Sequence, residues 1–195
     1  MKEKILFLDI DNVLNVSLHE DSLYASEKWL DEKLICPYVP IFKENLDILK
    51  RIYDNVKCLK TVWSTGWRNI DIPFWHSWEN PKQWLESIDW LQKTVIGQTP
   101  MRMSSTRPEE IHMWLLDNIY CRKFKDKEWM NGTWHDVGSY AILDDYDSDM
   151  MRKFGSHFLC TAYTGTGLTN EIADRAIELL NSSSYDESEL DWRKK

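Results

Sequence analysis

The nine residues Phe7–Asn15, FLDIDNVLN, decide how the chain is read. An apolar run, Ile5–Leu8, stops at Asp9, and a second aspartate, Asp11, follows one residue later. A short apolar run that ends on polar residues reads as a buried β-strand, Lys4–Asp9. In extended backbone Asp9 and Asp11 would project to the same side. Two carboxylates so placed repel unless a counter-charge joins them. Solvated loop acids capping a turn are the plain alternative.

Working outward, strands alternate with amphipathic helices. Helices are expected over Ile41–Val56, with Phe42, Leu46, Leu49, Tyr53 and Val56 on one face, over Asn80–Leu91, over Pro108–Tyr120 and over Asn170–Leu180. Pro108 in the first turn and Glu109 and Glu110 beside it suit a helix N-terminus. Further strands are expected at Val56–Trp63, Lys93–Ile96, Ala141–Leu143 and His157–Thr161. This alternation predicts an α/β protein with a parallel sheet covered on both faces. In such sheets ligands bind beyond the carboxyl ends of the strands. Asp9/Asp11, Ser64/Thr65 and Asp144/Asp145 all fall there, with Asp147 and Asp149 shortly after.

Several carboxylates converging on one point need a cation, and hard oxygen ligands select Mg2+. Ser64 can offer a hydroxyl and a backbone N–H to a phosphoryl oxygen. Arg107, at the head of the Pro108 helix, adds a guanidinium to a helix N-terminus, a favourable place for phosphate.

The chain has 195 residues, which suits one domain with its own core. No run approaches the ~18 apolar residues of a membrane span, so a soluble, cytoplasmic protein with no membrane partner is expected. The net charge of -8 disfavours a broadly basic nucleic-acid surface. The four cysteines lack zinc-site spacing and read as reduced thiols, and the five histidines are dispersed without ligand spacing. No G-x-S-x-G, Walker or Rossmann glycine motif is present. Two segments break the repeat: a tryptophan-rich insert at 66–92, and 121–139, where Asn131-Gly132 signals a short hairpin. The main domain is placed at 1–181 and a polar tail at 182–195.

The ordered set FLDIDNVLN, VWSTGWR, TRPEEIHMWL and AILDDYDSD resembles the four motifs of the haloacid dehalogenase (HAD) superfamily of phosphohydrolases. With S-x-x-WR, an E-E-I-x-x-WL helix after the arginine, ILDD and the closing Gly165–Thr169 stretch, it is similar to the HAD domains of Swiss Army knife RNA-repair proteins. The resemblance covers most of residues 3–180. It implies a three-layer α/β/α, Rossmann-like HAD sheet with small inserts in place of a large cap. It further implies a Mg2+-dependent phosphatase acting through an aspartyl-phosphate. Asp9 would be the nucleophile and Asp11 the general acid/base, with its carbonyl on the metal. Ser64, with Thr65 as alternative, would orient the phosphoryl group. Arg107 would stand where the family usually has lysine, and Asp145 would ligate Mg2+, with Asp144 and Asp149 secondary. Asn12 stands where glycine is common in the family.

The tryptophan segment packs as apolar filling or offers a stacking surface, for which Trp67 and Arg68 are best placed. The expected substrate is a phosphorylated small molecule such as a nucleotide, or a phosphorylated nucleic-acid end. A Mg2+ nuclease using the same acids, and a silent binding module that keeps the fold, are the competing readings.

Overall fold

Leu6 and Leu8 face one side of the first strand, β1 (Glu3–Leu8), and Ile5 and Phe7 face the other; all four are fully buried. A strand apolar on both faces belongs in the middle of a covered sheet, and β1 lies there. The computed structural model describes residues 2–15, 33–34, 41–68, 81–101, 104–119, 135–145, 149–161 and 167–182. After β1 come a two-residue antiparallel pair, β2 (Lys33–Leu34) and β3 (Ile41–Phe42), and helix α1 (Lys43–Asn55). Then follow β4 (Leu59–Trp63), α2 (Pro81–Glu86), α3 (Asp89–Gln92), β5 (Val95–Gln98), α4 (Arg107–Asn118) and β6 (Val137–Asp144). The described chain closes with α5 (Met150–Phe154), β7 (Phe158–Cys160) and α6 (Asn170–Ser182).

The sheet runs in the order β5-β4-β1-β6-β7, with every pairing parallel. β1 therefore sits between β4 and β6, the strands that carry the other two polar clusters. Residues of α1, α2, α3 and α6 join Leu6, Leu8, Trp63, Ala141 and Leu143 in one core. Residues of α4 and α5 join Ile5, Phe7, Val62, Tyr140 and Ile142 in the other. This is the three-layer α/β architecture anticipated from the alternation. Phe7 packs edge-on against Trp114 at 5.3 Å and Tyr140 at 6.3 Å, a geometry that suits the ring quadrupoles.

Three expectations about elements are corrected. Ile41 and Phe42 form β3, not the start of α1: Ile41 bridges to Asn15, and the Phe42 N–H donates to the Leu14 carbonyl at 3.2 Å. The single helix over Asn80–Leu91 is broken at Ser87–Ile88, where an Ile88 in extended backbone starts α3. β6 begins at Val137, inside the segment read as a hairpin-like insert. The hairpin signal at Asn131-Gly132, the middle of the tryptophan-rich insert (69–80) and the tail beyond Ser182 lie outside the described residues.

Behind the turn after β1, the Leu168 N–H donates to the Val13 carbonyl at 2.8 Å. Gly167, at φ 76°, lies so close that a Cβ would stand 2.7 Å from that carbonyl oxygen. Only glycine allows this approach at that backbone angle. Among the described residues no helix is long and apolar enough to cross a membrane.

Candidate active site

The sheet's pleat brings three side chains to one place. Asp9 continues the Ile5–Phe7 face of β1, Ser64 the Val62 face of β4, and Asp144 the Tyr140–Ile142 face of β6. The ladder extends just far enough to hold them. The Asp9 N–H donates to the Leu143 carbonyl at 3.0 Å, and the Ser64 N–H to the Leu8 carbonyl at 2.9 Å. That face is covered by α4, whose first residue is Arg107. Its guanidinium lies 3.7 Å from both the Asp9 and the Asp144 carboxylates. A capping box starts the helix: Glu109 accepts from the Thr106 N–H at 2.7 Å, which fixes the turn carrying Arg107.

Asp9 is 3% exposed. Burial pushes its carboxyl up from 3.8 to about 6, against the opposing pull of Arg107, the Ile10 N–H and the Thr65 hydroxyl. The nearby charge of Asp11 adds to the upward push. Buried charge costs free energy unless paired, and here Arg107 approaches without closing a tight pair. Ser64 Oγ and Arg107 Nη1 are both buried and make no hydrogen bond among the described residues. Buried donors without acceptors mark a place shaped for a group that brings its own oxygens.

Carboxylate oxygens of Asp9, Asp144 and Asp145 lie within 4.8 Å of one another. Three acids face one guanidinium, so the local balance is negative. An all-oxygen set of this kind fits a hard cation such as Mg2+.

Asp11 does not extend the strand. The Ile10 carbonyl receives the N–H groups of Val13, Leu14 and Asn15, which curls the chain into a turn immediately after Asp9. Asp11 then points elsewhere than an extended strand would place it. Its two oxygens accept from Trp67 Nε1 at 2.9 Å and from Asn15 Nδ2 at 3.0 Å. Asn12, at φ 52°, supplies the left-handed step of the turn, and its side-chain amide donates to Asp145 Oδ2 at 2.7 Å.

The remaining expected residues fall differently. Thr65 is fully buried; its hydroxyl bonds the Asp9 carboxylate and accepts from the Trp67 N–H at 3.3 Å. Trp67 is half-buried against the core, with its indole N–H committed to Asp11. Arg68 was expected to touch substrate, but its side chain is 3% exposed. It is paired with Glu110 at 2.7 Å and also bonded to Thr99. A substrate contact would require breaking that pair. Asp149 lies outside the three-acid group, half-exposed at the start of α5 and paired with Arg152 at 3.1 Å.

Sequence reasoning missed Asn15, Thr99 and Glu110, and the side-chain role of Asn12. Asn15, four residues after Asp11 in a tight turn, carried a local signal. Thr99 and Glu110 carried none, because their link to Arg68 is made only by the fold.

Comparison with curated proteins and with solved structures finds no match. A family model described as "HAD domain in Swiss Army Knife RNA repair proteins" matches residues 5–173, from the core of β1 into α6. That span contains the three acids, Ser64 and the helix α4 that begins at Arg107, and the chain belongs to this family of HAD domains.

Proposed function

We propose that the chain is a Mg2+-dependent phosphomonoester hydrolase that works through an aspartyl-phosphate, with a phosphorylated nucleotide or nucleic-acid end as substrate. One observation carries this reading. A buried carboxylate at the end of the central strand is ringed by a serine hydroxyl and a guanidinium nitrogen that lack hydrogen-bond partners among the described residues. Family membership supports hydrolase chemistry of the phosphoesterase kind. The family description names RNA repair proteins, which favours an RNA end within the proposed substrate class.

Asp9 attacks phosphorus, and the bond from phosphorus to the ester oxygen breaks as the new Asp9–phosphorus bond forms. Asp11 gives a proton to the departing oxygen, then takes one from the water that attacks the phosphoryl-aspartate. Inorganic phosphate leaves and Asp9 is restored. Ser64 donates to a phosphoryl oxygen, and Arg107 offsets charge that builds on the phosphoryl group in the transition state. Asp9, Asp144 and Asp145, together with the Asp11 carbonyl, would hold Mg2+, which when bound would neutralise phosphoryl charge and keep the acids ionised. Trp67 and Asn15 hold the Asp11 carboxylate in a fixed orientation, and Arg68 ties the turn after β4 to α4.

The test is a phosphate-release screen with and without Mg2+, covering nucleoside monophosphates and 5′- and 3′-phosphorylated oligonucleotides, with Asp9→Asn as control. Release that needs both Mg2+ and Asp9 is the expected result. Strand cleavage without phosphate release would favour the nuclease reading. No activity beyond the control would leave the fold as a binding module for that panel. Trapping by beryllium fluoride, which mimics a phosphorylated aspartate, is expected in wild type and lost in Asp9→Asn.

A further inference from the structure

Asn12 performs two separable tasks. Its backbone takes a left-handed step at φ 52°, and its N–H donates to Asn15 Oδ1 at 2.7 Å. Glycine would make that step with less strain. The side-chain amide does something glycine cannot: it crosses from the turn after β1 to the end of β6 and donates to Asp145 Oδ2 at 2.7 Å. Asp145 is the half-buried member of the three-acid group, so it has more freedom to turn than Asp9 or Asp144.

We propose that Asn12 is a positioning residue that tunes which cation the acid group prefers. The amide engages one oxygen of Asp145 and leaves the carboxylate to present the other. A carboxylate held to one oxygen suits Mg2+, which demands compact octahedral coordination and is bound through few carboxylates. Ca2+ accepts more ligands and readily takes both oxygens of one carboxylate. Because the amide is neutral, it orients Asp145 without adding to the negative charge of the group. Partners that orient a metal ligand commonly contribute ten- to a hundredfold to affinity. The proposal rests on the cation in the functional reading above, and not on the phosphatase step.

The test titrates Mg2+ and, separately, Ca2+ into wild type, Asn12→Gly and Asp145→Asn without substrate, followed by calorimetry and melting temperature. Metal-free Asn12→Gly is expected to melt within a few degrees of wild type, since glycine suits the turn. It should bind Mg2+ about tenfold or more weakly, with Ca2+ affected less, so the preference for Mg2+ narrows. Asp145→Asn should weaken both cations. If Asn12→Gly holds Mg2+ within twofold of wild type, or weakens both cations equally, the proposal is overturned. Wild type taking up neither cation overturns it as well. A chain that binds Mg2+ with the expected selectivity but releases no phosphate overturns the phosphatase reading alone.

Discussion

Two arginines flank the site and meet carboxylates in opposite ways. Arg68 is closed into Glu110 at 2.7 Å, with Thr99 completing the contact, and both charged side chains are almost wholly buried. Arg107 stands 3.7 Å from Asp9 and from Asp144, too far for a hydrogen bond to either. One pair is finished within the protein. The other is looser, at the end of the central strand. Breaking a closed buried pair leaves an uncompensated charge, whereas the loosely met Asp9 charge weakens the metal-free fold when it is ionised.

The largest effect expected from this contrast is in activity. Asp9→Asn should lower phosphate release by at least about 10³-fold, as loss of a nucleophile does. The same change should raise the melting temperature of the metal-free protein, because a poorly paired buried charge is removed. A drop in both would mean that Asp9 is structural.

Next, Glu110→Gln should destabilise the fold by about 3–5 kcal/mol, since it leaves the Arg68 charge buried and uncompensated. Chemical denaturation measures this. Arg107→Met should change stability far less but slow phosphate release by about 10²–10³-fold, the scale of losing one transition-state donor. If the two substitutions have equal effects on stability, the distinction between a closed and an open pair fails.

Trp67→Phe retains the ring and removes only the N–H donated to Asp11. About a tenfold fall in kcat is expected, in line with a hydrogen bond to a charged group worth ~1.5 kcal/mol or somewhat more, with KM little changed. A rise in KM at constant kcat would restore the stacking role.

The smallest effect is a pH dependence. The Asp9 carboxyl is raised from 3.8 to about 6, so its contribution to stability is fully present below pH 3.8 and lost as pH rises through about 6. A cation competes with the proton for Asp9. Added Mg2+ should therefore raise the melting temperature more at pH 7.5 than at pH 5. An equal shift at both values would remove Asp9 from the cation site.

What the sequence disclosed follows the range of the interaction. Asp9, Ser64 and Asp144 were legible because each ends a run of buried strand residues, and strand ends in a parallel sheet share one edge. Arg107 was legible from the proline and acids that open its helix. Phe42 was misjudged because its spacing from Leu46 suits a helix face, while pairing with Lys33 and Leu14 holds it in a strand. The burial of Arg68 could not be read, since Glu110 lies 42 residues on. Asn12 was seen only as a turn residue, because its amide's partner is 133 residues away.

The strand order carries a consequence for assembly. β1 emerges first, yet the flank that bears Asp144 and Asp145 comes from β6, and the loop that backs the turn comes later still, at Gly167 and Leu168. During synthesis Asp9 and Asp11 are made well before Asp144 and Asp145, the neighbours that crowd them. The repulsion among the acids is thus absent while the first half organises and arises only when β6 docks. Such distant pairing is slow to form, so a cation that binds the gathered acids would act as a latch on the docking of β6.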